Sequence, residues 1–297
     1  MKKYICFDIG GTSIKFGILN ESGDILFKDA MDSEAKKVGG PGIVKKIIDK
    51  INFYKKDYSF SGVGISSHGM IDSENGIVMF ADAHIIPDFS GLNVKELIES
   101  ETGIACEIEN DVNAAGLGEL WKGSGASSEL VSMIAVGTGI GACLIENGKL
   151  ITGNSRCAGE IGKIQIPGGR FEDIASSYAM TSRLEKKLGK TPGSINGKIV
   201  FDEIENGNKD AIEAVDEMIH HLAVGISNLC FIYNPGAVIL GGGIMARDDY
   251  FKPRLEAEMK KLLPDVIYSS TELRFAKLKN DAGMIGALRN FLNRHEE

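Results

Sequence analysis

A chain of 297 residues, 43% hydrophobic and 25% charged, carries enough apolar material for one large or two ordinary packed domains, which excludes a peptide effector or a disordered tail. Its net charge of −8 offers no field attractive to a phosphate backbone, so a dedicated nucleic-acid binder is disfavoured. Glycine is the one excess: 37 residues, where about 7% is usual, with only 7 Pro and no collagen period, so the glycines serve chosen backbone positions.

Met1-Lys2-Lys3 leads into a short apolar run that meets Asp8 at once, too short for a signal-peptide core, and the expectation is a cytoplasmic protein. Lys3 to Ile9 predicts a strand, Gly10-Gly11-Thr12 a turn, and Ile14 to Leu19 a second strand, together a hairpin. Pro41 to Tyr54 has apolar residues at helical spacing (Ile43, Val44, Ile47, Ile48, Ile51), and Gly62 to Ser66 reads as a buried strand. Leu92 to Thr102 predicts a helix closed by Gly103, and Ala105 to Ile108 a strand that delivers Glu109-Asn110-Asp111 at its carboxyl end. The alternation of strand and helix implies an α/β domain.

Leu130 to Val136, Gly137-Thr138-Gly139 and Ile140 to Ile145 repeat the opening strand-turn-strand, with Thr138 laid on Thr12 and Ile140 on Ile14, which suggests two related halves. The apolar run Val131 to Ile145 falls short of the ~20 residues that span a bilayer. Lys186 to Lys198 reads as a surface loop. Asp210 to Tyr233 is a long helical pattern closed by Asn234-Pro235-Gly236, Ala237 to Leu240 a strand leading into Gly241-Gly242-Gly243, and Asp281 to Arg294 a terminal helix. The five cysteines (Cys6, Cys106, Cys143, Cys157, Cys230) are odd in number and scattered, so neither a disulfide framework nor a cysteine-based zinc site is encoded.

Three glycine-rich turns thus follow strands. Glycine lets backbone approach a ligand and supplies positive φ, so that amide groups can face anionic oxygens, and the Thr12 and Thr138 hydroxyls add donors. Each turn alone reads equally as a tight turn of a glycine-rich protein; the three together point to a nucleotide. Neither a P-loop nor a strand-to-helix G-x-G-x-x-G is present. Asp8, beside the first turn, is a carboxylate suited to Mg²⁺, directly or through water. In Glu109-Asn110-Asp111-Val112-Asn113-Ala114-Ala115 a strand passes into a helix. Asp111 is placed to take the proton of an attacking hydroxyl or, on the structural reading, to cap the helix, with Asn113 the rival cap. Glu160 in Ala158-Gly159-Glu160-Ile161-Gly162-Lys163, and Glu172 beyond it, suit sugar hydroxyls or a solvated acidic turn.

Read together, Asp8-Ile9-Gly10-Gly11-Thr12-Ser13-Ile14-Lys15, the Glu109 to Ala115 segment, Val136-Gly137-Thr138-Gly139-Ile140-Gly141, Ala158 to Gly162 and Leu240-Gly241-Gly242-Gly243-Ile244 resemble, in order, the motifs of the ROK family of repressors and sugar kinases. The resemblance implies a two-domain α/β actin-like ATPase (ribonuclease H-like) sugar kinase fold with ATP and sugar in a cleft between the domains. It implies residues 1–118 plus the helix over 281–297 as one domain, and 119–280 as the other. It assigns Asp8, Gly10, Gly11, Thr12, Lys15, Gly137, Thr138, Gly139, Gly241, Gly242 and Gly243 to the nucleotide and its phosphates. Asp111 becomes the general base, with Asn110, Asp111, Glu160 and Glu172 as sugar contacts. Phosphorylation of a sugar 6-hydroxyl and a homodimer follow from the same resemblance.

Two departures bear on the substrate. The family usually places His after the Glu-Ile-Gly step and then a cysteine cluster that holds structural zinc with it; here Lys163 takes the His position and Ile164 to Phe171 contains no Cys, so no zinc site is expected. Asp82 and His84 stand where an Asn-Leu step is usual. A pocket that differs around the sugar O1 and O2 makes a β-glucoside or N-acetylmannosamine as plausible as glucose. A repressor of the same family would need a helix-turn-helix before the strand that starts at Lys3, which leaves no room for one. A non-catalytic sensor is opposed by the intact turns and by Asp111.

Overall fold

The computed structural model describes residues 1–125 and 128–295, so residues 296–297 of the expected terminal segment lie outside the described residues. The chain divides into two compact units. One comprises Met1–Gly125, Gly148–Ala158 and Asn280–Glu297, the other Ala126–Asn147 and Gly159–Lys279.

In the first unit a five-stranded sheet runs in the order Ile25–Asp32, Ser13–Asn20, Lys3–Ile9, Gly62–Ser67, Cys106–Asn110. The first three strands are antiparallel and the last two join in parallel. The central strands carry near-continuous apolar runs because helices cover both faces, and Ile5, Phe7, Ile9, Ile65 and Ile108 form the core with Ile43 and Ile47. The helix expected from Pro41 reaches back to Ala35 across a kink at Gly39 (φ 64°), so Pro41 stands near the start of its second part, where a missing N–H costs least. Gly103 ends the helix Val94–Thr102 in the left-handed region (φ 68°), as expected of a glycine C-cap.

The terminal helix Ala282–His295 packs against the helix Asp111–Lys122 and the neighbouring strands. A Cβ added at Gly118 would stand 2.6 Å from the Ala282 carbonyl oxygen, so the two helix backbones meet with no side chain between them.

In the second unit the strands Ile140–Glu146, Leu130–Val136, Ala237–Gly241 and Glu272–Phe275 adjoin in that order, the first pair antiparallel and the rest parallel. A hairpin followed by parallel strands is thus common to both units. The long helix Lys209–Ile232 buries Met218, Leu222 and Ile226 in this unit's core with Phe171 and Leu240. The loop expected over Lys186 to Lys198 is shorter: helix Ser177–Leu188 continues into it and another begins at Gly197. No helix among the described residues is long and apolar enough to cross a membrane.

Candidate active site

The two hairpin turns share a glycine-rich, Thr-tipped build, the first with four residues inside its closing pair and the second with three. Ile9 pairs with Ile14 and Val136 with Ile140, and the turns are closed by Gly10 N–H donating to Ser13 O (3.0 Å) and Gly137 N–H donating to Gly139 O (2.9 Å). Thr12 and Thr138 are both exposed at the tips, with half-buried glycines beside them. The Ser33 hydroxyl, donating to Gly11 O (2.7 Å), braces the first turn, and the Ser177 hydroxyl, donating to Gly137 O (2.6 Å), braces the second.

Positive φ is not the reason for most of these glycines. Of the seven, only Gly242 (φ 113°) needs it. Gly11 and Gly139 stand close against side chains: an added Cβ would lie 2.7 Å from Ile85 Cγ2 and 3.0 Å from Glu172 Oε2. At Gly137 and Gly243 an added Cβ would meet nothing within 4 Å. Neither protein contacts nor φ demands glycine there.

Asp8 and Asp111 come together in the first unit. The parallel register sets Asp8 beside Ser66, whose hydroxyl donates to Asp8 Oδ1 (2.7 Å), while the Lys15 ammonium lies 3.4 Å from Oδ2. Asp111 opens its helix, but it is not the cap, and neither is Asn113. Asn110 caps: its Oδ1 accepts from Val112 N–H (2.9 Å) and Asn113 N–H (3.1 Å), and its Nδ2 donates to Gly69 O (2.8 Å). Among the described residues no other side chain hydrogen-bonds the Asp111 carboxylate, whose Oδ1 accepts from Val112 N–H (2.9 Å). Burial lifts the Asp111 carboxyl to about 6; the positive field of His68 opposes the shift, and the nearby Asp8 charge adds to it.

Sequence reasoning passed over Ser66, His68 and Glu109. Glu109 is 1% exposed, and its Oε1 accepts from Asn110 N–H (2.8 Å) and Asn113 Nδ2 (2.9 Å). Its presence in the strand-helix motif is the available signal; Ser66 carries none, since only strand pairing brings it to Asp8, and His68 stands just past that strand, its N–H donating to Ile9 O (3.3 Å).

In the second unit Glu160 is half-buried and its carboxylate takes no hydrogen bond among the described residues. Glu172 is engaged. The Lys163 ammonium lies 2.6 Å from Oε1, with the Arg170 guanidinium 3.6 Å away. Its Oε2 faces the Cα atoms of Gly139 and Gly162, so that one carboxylate links the second glycine turn to the loop carrying Glu160. Thr138 and Gly243 line one cavity of about 650 Å³, whose walls include Ile195, Phe201 and Ile244, with the Arg247 guanidinium stacked 4.5 Å above the Phe201 ring. Apolar walls beside an exposed hydroxyl and an unobstructed glycine suit a planar base joined to a polar group. Among the described residues no group of three or more His, Cys, Asp or Glu is gathered to hold a metal ion.

Residues 4–293 match the ROK family. The chain is 30% identical to a glucokinase of Halalkalibacterium halodurans, covering 95% of this chain and 93% of that protein. It is 29% identical to a beta-glucoside kinase of Listeria monocytogenes, over 99% and 100%. Among solved structures, a ROK family glucokinase from Streptomyces griseus in complex with glucose and AMPPNP superposes with a TM-score of 0.79 at 26% identity, covering 96% of this chain and 98% of that one.

Proposed function

The chain belongs to the ROK family, and from that premise we propose that it transfers the terminal phosphoryl group of ATP to the 6-hydroxyl of a hexose or hexose derivative. The observation that carries the assignment is Asp111: a carboxylate at the start of a helix, relieved of capping by Asn110, with no side-chain hydrogen bond among the described residues and its pKa raised to about 6. Phosphoryl transfer asks little covalent chemistry of the protein, but the acceptor hydroxyl must be oriented and lose its proton as the P–O bond forms. Asp111 Oδ2 accepts that hydrogen bond and then the proton. A base poised near the working pH does this better than an ordinary Asp, which is too weak an acceptor.

Glu160, whose carboxylate takes no hydrogen bond among the described residues, accepts further sugar hydroxyls. Asn110 contributes by holding Asp111's turn; a direct sugar contact from its amide comes in exchange for the Gly69 bond. Glu172 touches sugar only through the oxygen that Lys163 leaves it.

The nucleotide base occupies the second unit's cavity, beside the Thr138 turn; each Thr-tipped turn offers phosphate oxygens donors of its own, backbone amides with the Thr138 hydroxyl in the second unit and backbone amides with Lys15 and the Thr12 hydroxyl in the first. The bound AMPPNP of the Streptomyces griseus relative supports ATP as donor. Asp8 fits magnesium held through water: it is a hard carboxylate, partly exposed, but its two oxygens already serve Ser66 and Lys15. The ion would neutralise phosphate charge.

The substrate is a glucose-like sugar, and Lys163 in place of the family's His favours one with a substituent near its anomeric end. The beta-glucoside kinase from Listeria monocytogenes gives this a precedent. Sugar-dependent ADP release, measured with glucose, N-acetylmannosamine and cellobiose, tests both levels. No ADP with any sugar removes the kinase reading; glucose preferred by orders of magnitude removes the open anomeric end. A homodimer, implied by the family resemblance, is checked by sedimentation.

A further inference from the structure

Two aromatic rings, Tyr178 and Phe201, line the second unit's cavity, and they are held in opposite ways. Phe201 is only 6% exposed. The rings of Tyr250 and Phe251 meet it nearly at right angles, with centroids 5.3 and 6.0 Å away, and the Arg247 guanidinium covers it from 4.5 Å. Arg247 is itself fixed, its Nε 3.1 Å from Asp249 Oδ1. Phe201 is therefore a wall whose surroundings the protein already fills.

Tyr178 is 60% exposed, and among the described residues no other ring or cation stacks on it. An exposed aromatic ring on open surface needs no explanation. This one lines a cavity, and the backbone beneath it is tightly fixed. Tyr178 is the second residue of the helix Ser177–Leu188, whose cap is the Ser176 hydroxyl, accepting from Ala179 N–H (3.1 Å). Ser177, next to it, donates twice to Gly137 O, from its N–H (3.0 Å) and from its hydroxyl (2.6 Å). Gly137 leads into Thr138, which lines the same cavity. One fixture thus holds both the Tyr178 backbone and the Thr-tipped turn, at a set spacing. A ligand that is flat and apolar at one end and anionic at the other matches that pair of features.

We infer that Tyr178 is the residue that selects the phosphoryl donor, its ring serving as the stacking platform for a purine base whose phosphates lie at the Thr138 turn. The inference rests on the ATP reading above and deepens it. Stacking discriminates by ring area more than by hydrogen-bond pattern. Adenine and guanine are both held, a pyrimidine is held less well, and a polyphosphate without a base gains nothing from the ring.

Calorimetric titration of the full chain with ADP, CDP and tripolyphosphate tests it without relying on turnover. Because the side chain is mostly exposed, Tyr178→Ala should leave Tm unchanged. The same variant should weaken ADP about five- to a hundredfold, the scale on which removing an aromatic platform costs a stacked base. Tyr178→Phe keeps the ring and should bind ADP as the unaltered chain does. CDP should bind the unaltered chain more weakly than ADP, and tripolyphosphate should bind all three chains alike. Unchanged ADP affinity in Tyr178→Ala overturns the platform, and so does an equal loss for tripolyphosphate, which would place the effect at the phosphate turn. A Tyr178→Phe variant as weak as Tyr178→Ala assigns the contact to the hydroxyl and overturns stacking. If the unaltered chain binds no ADP, the ATP reading falls and the platform with it. If it binds ADP through Tyr178 but forms none with any sugar, the kinase reading falls and the platform stands.

Discussion

Lys163 holds its ammonium 2.6 Å from the Glu172 carboxylate, and that pairing sets how the loop between them is fastened. Lys163 is half-exposed and Glu172 is 13% exposed, so the pair lies between a surface ion pair and a buried one. Lys163→Met leaves the carboxylate with only the more distant Arg170 and is expected to cost about 1 kcal/mol of stability, read as a lower urea midpoint. The deficit should shrink at high salt, where the pair is already weakened. Because Glu172 also abuts Gly139, KM for ATP should rise in the same variant. A zinc-selective chelator should leave activity unchanged, since Lys163, Arg170 and Glu172 tie this loop with an ion pair; loss of activity on chelation would contradict that fastening.

Asp111→Asn retains the shape of the side chain and removes the proton acceptor. Its kcat should fall about a hundred- to ten-thousandfold, the usual contribution of a general base, with KM values little altered. A variant that keeps near-normal turnover would show that the base is elsewhere.

The same substitution should stabilise the fold. The folded-state pKa of Asp111 is about 6, above the ordinary value of 3.8, so ionising it in the folded chain is unfavourable. That penalty is fully present above pH 6, declines as pH falls through 6 and is gone below about 4, where both states are protonated. Asp111→Asn should therefore unfold at higher urea than the unaltered chain at pH 7 to 8, by roughly 1–3 kcal/mol, with the advantage vanishing towards pH 4.

Much of this architecture is legible in the sequence because it is local. Gly-Gly-Thr and Gly-Thr-Gly between apolar runs announce two hairpins, and the strand-to-helix passage at Asn110-Asp111 is visible in the change of period. What escapes is what register creates. Ser66 reaches Asp8 across 58 residues only because the two strands pair in parallel, and Arg294 reaches Ser73 from the far end of the chain. The cap escapes the sequence for a subtler reason: Asp and Asn are all good caps, and the choice of Asn110 over Asp111 or Asn113 depends on where its extended φ,ψ (−57°, 147°) ends the strand. Composition alone suggests glycine as a source of positive φ, but at Gly11 and Gly139 it supplies clearance from Ile85 and Glu172, partners distant in sequence.

Gly286→Ala tests the helix contact that brings the terminal helix against the one carrying Asp111. The added methyl would be driven into the Ala114 carbonyl, backbone against which no rotamer change helps, and Gly118 faces Ala282 in the same way. The expected cost is at least the 1–3 kcal/mol of ordinary overpacking, seen as a clear drop in Tm or insoluble expression. An unchanged Tm would mean the two helices can separate freely.

The last expectation concerns pH. Asp111 must be ionised to accept a proton, so kcat/KM should fall as pH drops through about 6. Two neighbours move that limb in opposite directions. His68→Gln removes a positive field that favours the ionised form, so the limb should shift to higher pH. Asp8→Asn removes a negative charge that opposes ionisation, so the limb should shift lower even though the absolute rate falls with Asp8's part at the phosphates. Opposite displacements assign the limb to Asp111; a limb that ignores both substitutions belongs to another group and would withdraw Asp111 from the step.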